Sequence, residues 1–295
     1  VVALLVAMAV HVARTPEVLT VVQRLSLQVL IAACLLQFLS QLSLNGSLLL
    51  PLQTCVTRLG FWELYVVRSG GFLVGTLVPV AGGVAVRLAY LRRRGVTYLD
   101  FTWATLLSNV LALGAAAVLT LVATAVLWTI AGRPPGLVLA VAAGVLAVSV
   151  GAVAAFELLP GLARHPRFQK WSWLSGMAGL SGNRRMTAQV FALSLVRHGL
   201  NFTTFGLLTH ALSRTPGDFL TGGLVYALTS PVRMINVTPG NLGVTEWVVA
   251  LVGKALAYDL ATGLIVALAF RGIALVAQAL GMLFGSAWVA LGREA

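Results

Sequence analysis

Apolar positions along the chain gather into long uninterrupted runs at residues 25–50, 103–131, 137–160, 188–212 and 261–291. Each reaches or exceeds the roughly 20 residues a helix needs to cross a bilayer. The surplus in the longer runs predicts tilted helices or ends that protrude into the headgroups. Two further apolar stretches are broken in the middle by helix-interrupting residues. Residues 64–91 contain Pro79, Gly82 and Gly83, and residues 219–258 contain Pro239, Gly240, Asn241 and Gly243. A backbone that leaves the helix at membrane depth exposes N–H and C=O groups, which is tolerated only against protein or a wet cavity. The expected fold is therefore all-α: a polytopic transmembrane helical bundle with two broken or re-entrant helix hairpins around a cavity.

Composition narrows the class further. Of 295 residues 59% are hydrophobic and 9% charged, against about 25% charged in a soluble domain, which excludes a water-soluble globule. The length allows about eight passes, so residues 1–295 read as a single membrane domain. The apolar run at 1–13 is too short to span alone and reads as the end of a helix. Twenty Lys and Arg face eight Asp and Glu for a net charge of +12, and eighteen of the twenty are Arg. The guanidinium fork suits phosphate and carboxylate, so anionic lipids or anionic substrates are the natural partners, and nothing points to nucleic acid. Cys34 and Cys55 fit no metal or redox spacing and read as packing residues. No His/Cys ligand group, phosphate-binding loop or nucleophile elbow is legible, so no cofactor or metal is expected.

The basic segments 92–94 and 164–185 should be cytoplasmic by the positive-inside rule. Threading outward puts Arg133 and Arg214 on the far side and both termini inside. Trp171 and Trp173 then read as interfacial anchors. The first broken stretch would open from the cytoplasm and the second from the opposite face. Their sequences also match: Pro79-Val-Ala-Gly-Gly83-Val84 sits beside Pro239-Gly-Asn-Leu-Gly243-Val244 with one shared Pro to Gly-Val offset. An inverted repeat follows as an expectation, with a first half at 1–131 and a second at 137–295, the plan of many alternating-access carriers.

The stretch from Gly71 through Pro79, Gly83 and Arg87 to Arg92 and Gly95, with Thr238-Pro-Gly-Asn-Leu-Gly-Val-Thr-Glu246, resembles the membrane region of the lysylphosphatidylglycerol synthase and flippase-like family. That resemblance implies an integral membrane protein that moves lipids across the bilayer or serves as the membrane half of a lipid-modifying enzyme. Two departures stand out. The family often has Gly-Glu where this chain has Gly82-Gly83, which removes an acid from the first hairpin, and Asn241 replaces a usual Gly. No aminoacyl-transferase segment is legible, so synthesis of a lysyl lipid is not implied for this sequence.

Ionisable groups at membrane depth cost about 2.5–3.5 kcal/mol each on insertion scales, so each needs a partner or water. The candidate substrate-binding residues are Arg87, Arg197, Asn201, Arg233, Asn236, Glu246, Arg271 and Gln278. Arg197 and Asn201 share a helix face, either toward a substrate or as a hydrogen-bonded pair joining helices. Arg271 and Gln278 also share a face; Arg271 reads as cavity-facing, the alternative being a buried ion pair with Glu246 or Asp259. Glu246 is balanced between neutralising an arginine and meeting a cationic headgroup or proton. Arg87 either faces the cavity or reaches the cytoplasmic headgroups. Residues 241–245 would aim free N–H groups and a positive dipole end at an anion. His198 reads as a packing histidine in preference to a proton relay.

These features favour a flippase-like lipid translocase, moving an anionic, aminoacylated, polyprenyl or glycolipid headgroup through a central arginine-lined cavity. The alternatives are a membrane-embedded lipid-modifying transferase, disfavoured by isolated acids, and a membrane scaffold for a separate lipid synthase. Partners expected are membrane lipids with an anionic or isoprenoid-linked headgroup. A lipid synthase or glycosyltransferase and a homodimer are further candidates. The expected location is a bacterial or archaeal cell membrane.

Overall fold

A computed structural model describes residues 25–56, 59–77, 82–131, 136–163, 183–213, 218–230, 243–256 and 259–291. Every element among them is α-helical: α1 (Leu27–Cys55), α2 (Phe61–Leu77), α3 (Gly82–Arg93), α4 (Tyr98–Ala131), α5 (Gly136–Ala163), α6 (Arg184–Ser213), α7 (Asp218–Thr229), α8 (Val244–Ala255) and α9 (Leu260–Leu291). The five expected spans correspond to α1, α4, α5, α6 and α9. Each is 28 to 34 residues long. The 1–13 run, Trp171 and Trp173 lie outside the described residues.

Short-range polar signals start and stop these helices. Ser26 Oγ accepts from Val29 N at 3.3 Å to cap α1, and Asn183 Oδ1 accepts from Met186 N at 3.0 Å to cap α6. Thr97 and Asp100 bond each other's backbone N–H reciprocally at the start of α4, a capping box. Gly95, with φ of 87°, closes α3: Val96 N donates back to Leu91 O at 3.1 Å, and both side chains are buried, the pairing of a Schellman motif.

Each apolar stretch that was expected to break contributes two helices, and the residues between them lie outside the described residues. The first becomes α2 and α3 on either side of residues 78–81, and the second becomes α7 and α8 on either side of residues 231–242. With 17 residues in α2 and 12 in each of the other three, these helices measure about 26 and 18 Å at 1.5 Å per residue. That is short of a hydrocarbon core of about 30 Å. α2 and α3 pack antiparallel and very close: a Cβ on Gly71 would lie 2.7 Å from Gly83 O, and one on Gly83 would strike Gly71 O. Only hydrogen at these two positions permits that approach. Glu63, near the start of α2, meets Tyr90 and Arg94 at the end of α3, so the hairpin is tied at its open end. Pro79, Pro239, Gly240 and Asn241 lie outside the described residues; Gly82 and Gly83 open α3, and Gly243, with φ of 83°, precedes α8.

The order long, short, short, long thus occurs twice, as α1 to α4 and as α6 to α9. α5 stands between the two units. Packing follows the same correspondence: α2 lies on α9 as α7 lies on α4, and α1 meets α9 as α6 meets α4. Helices α1 and α6 pack on each other and run antiparallel, since Gln37 and Ser40 meet Asn201 while Gly46 faces Leu193. Phe205, Tyr226 and Phe270 stack at the centre, with ring centroids 5.1 to 6.1 Å apart. On the other side Trp62 packs on Phe284 and Trp288, and Tyr65 rests against Gly281, where a side chain would collide with its ring.

Candidate functional site

The polarity of the long helices is inverted relative to a soluble bundle. Leu27, Ile31, Leu35 and Leu39 of α1 are exposed while Gln37, Ser40, Asn45 and Ser47 are buried. α9 likewise exposes Val276, Leu280, Leu283 and Phe284 and buries Gln278. Apolar side chains facing outward suit hydrocarbon, and the polar ones are held inside, where they must find partners.

One group of partners centres on Asn201. Asn201 Oδ1 accepts from Gln37 Nε2 at 2.8 Å and from Ser40 Oγ at 2.9 Å, and its Nδ2 donates to Tyr226 Oη at 2.8 Å. Tyr226 Oη also lies 3.1 Å from Nδ1 of the buried His198. This network joins α1, α6 and α7. Asn201 is therefore a joint between helices, with α1 and α7 as its partners and not Arg197. His198 is packed and hydrogen-bonded.

A second group is self-neutralised. Glu246, 1% exposed, accepts from Gly243 N through Oε2 at 2.8 Å and pairs through Oε1 with Arg271 Nε at 2.5 Å. The carboxylate thus occupies the start of its own helix, where a bound anion was expected, and supplies the ion-pair alternative for Arg271. Gln278 lies two turns along α9 and is buried. Arg233 and Asn236 fall outside the described residues.

The third group was not anticipated as a whole. Arg68, on α2, is 6% exposed. Its Nη2 donates to Gln41 O at 3.2 Å and Gln41 Oε1 at 3.0 Å, and its guanidinium lies 5.4 Å from the Tyr65 ring centroid. Its buried Nε has no hydrogen-bond partner. Arg87 lies against the same helix, since a Cβ on Gly71, one turn after Arg68, would come within 2.9 Å of Arg87 Cγ, and Arg197 stands one turn before Asn201 on the α6 face that meets α1. Arg87 is half-buried on α3 and donates from Nε to Gly83 O at 3.1 Å, so it turns back along its helix into the hairpin. Gln41, which Arg68 meets, is the central residue of α1, and Arg197 lies at the middle of α6. The ion pairs found among the described residues, Glu63 with Arg94 and Glu246 with Arg271, include none of the three. The hairpin brings Arg68 and Arg87 together, and the antiparallel α1 and α6 pair adds Arg197.

A family profile described as the lysylphosphatidylglycerol synthase TM region matches residues 1–281. The chain belongs to that family. Membership makes the chain an integral membrane protein tied to lipid metabolism, in agreement with a helical bundle whose α1, α4 and α9 are long and apolar enough to cross a membrane. No curated protein and no solved structure matches it.

Proposed function

We propose that the protein is a lipid translocase, in which the polar interior takes a headgroup while the chains remain in the surrounding bilayer. The observation that carries this reading is the inverted polarity together with Arg68, Arg87 and Arg197, none of which meets a carboxylate among the described residues. A helix bundle that served only as an anchor would have no reason to meet the insertion cost of about 2.5–3.5 kcal/mol for each such arginine. The two short-helix pairs act as re-entrant hairpins and the two units as an inverted repeat. Three crossings, α4, α5 and α6, separate the mouth of the first hairpin from that of the second, so they open on opposite faces. The antiparallel run of α1 against α6 supports the same inversion. Hairpins that meet from opposite leaflets leave a thin barrier on each side of one site, the arrangement alternating access needs. Glu246, the acid weighed as a general base, has both oxygens engaged, which favours transport over a transferase reaction.

The test is reconstitution. Protein in vesicles should move fluorescent phosphatidylglycerol between leaflets, measured by dithionite quenching of the outer leaflet, faster than protein-free vesicles. Quenching curves that superimpose would refute the proposal, and a lipid product of altered mass would support the transferase instead.

A further inference from the structure

Taking lipid translocation as its premise, we infer that Arg68, Arg87 and Arg197 form a phosphate subsite that holds an anionic lipid headgroup midway through the bundle. Three charges from α2, α3 and α6 converge there, and the groups that touch them among the described residues are neutral: the Gln41 carbonyl and amide oxygens, the Gly83 carbonyl and the Tyr65 ring. The same molecule shows what a structural arginine looks like. Arg271 and Arg94 each sit on a carboxylate, and for the buried Glu246 and Arg271 pair, removing one partner is what would leave a costly buried charge. Arg68 has been placed in the opposite situation: it is oriented by Gln41 while its Nε stays buried without a partner.

A phosphate supplies what is missing. It brings negative charge and several acceptor oxygens, and guanidinium forks bind it through paired, charge-assisted hydrogen bonds. The position favours a lipid phosphate over a free ion. α3 exposes Val84 and Val86, and α2 exposes Phe72 next to Gly71, so the cluster lies beside an apolar outer surface along which acyl chains can remain in hydrocarbon. Glu246 and Arg271 take no part, because they already neutralise each other.

Binding is measured on the purified full chain in neutral detergent by native mass spectrometry and by titration with phosphatidylglycerol, phosphatidic acid, phosphatidylcholine and inorganic phosphate. The two anionic lipids should bind more tightly than phosphatidylcholine. Arg68→Gln and Arg87→Gln should each weaken them by about ten- to hundredfold, the scale of one lost charge-assisted contact, with Arg197→Gln a third reading should one of these fail to fold. Arg68→Lys should restore part of the loss, and Arg93→Gln and Arg184→Gln, on exposed positions, should change nothing. Folded Arg68→Gln and Arg87→Gln proteins that bind like wild type would overturn the subsite. Inorganic phosphate that displaces the lipids at equal concentration would overturn its assignment to a lipid. Leaflet exchange by wild type, assayed separately, distinguishes the two proposals. Lost binding in the variants without any exchange by wild type leaves the subsite standing and removes the translocase; exchange and binding unaffected by the substitutions do the reverse.

Discussion

At the scale of single residues, charge compensation separates joints from binding groups. Glu246 and Arg271 are a joint: they tie the first turn of α8 to the middle of α9. Breaking such a pair by removing one member leaves the other charge buried and typically costs about 3–5 kcal/mol. Glu246→Gln and Arg271→Gln should therefore each lower the thermal unfolding midpoint in detergent strongly. The double variant should lose less than the sum of the two, as expected for residues in contact. Additive losses would mean that the two side chains do not act on each other. This pairing could be weighed from sequence because few acids are available to neutralise a deep arginine. Arg68 could not. Arg68 lies near the start of the 64–91 stretch, where a long side chain could reach the headgroups. The helix starts at Phe61, which carries Arg68 two turns into the bundle. Its signal lies in spacing: Arg68, Gly71 and Gly75 fall at i, i+3 and i+7, so the charge shares the face that packs on α3.

At the scale of elements, the helices and their interruptions were legible because apolar length and Pro/Gly breaks are local properties. What each break produces was not, since a kinked span and a folded-back hairpin share one hydropathy pattern. Close backbone contact decides between them here. Gly83 lies against Gly71 O, so Gly83→Val would have to push α3 away from α2. Overpacking of this kind costs about 1–3 kcal/mol. Faster hydrogen exchange across residues 71–87, with α6 unchanged, is the expected outcome. In this packing a side chain at 83 has no room for its Cβ, and Arg87 donates to the Gly83 carbonyl. Arg197 and Asn201 show the limit of periodicity. Spacing of four put them on one face, but only the packing of α1 and α7 reveals that Asn201 turns all its bonds to those helices.

For the whole molecule, the proposed repeat is legible in sequence only as one Pro to Gly-Val offset, and the helix order and packing are what support it. The proposed opposition of the two mouths can be checked by labelling. In a protein with Cys34→Ala and Cys55→Ser, Arg93→Cys should react with an impermeant maleimide from the cytoplasmic face and Lys254→Cys from the other. Both positions are exposed. Reaction of both from one face would show that the hairpins enter from the same side. Which side the N-terminus occupies depends on residues 1–24, outside the described residues.

Among the described residues, Arg68 and Arg87 on the α2 and α3 pair meet no carboxylate, whereas the acid in α8 already pairs with the cation it meets on α9. Under the proposed translocation, a negatively charged headgroup would meet positive charge at the first pair and an already neutralised cation at Arg271, so the scaffold would hold such a lipid unevenly along its path.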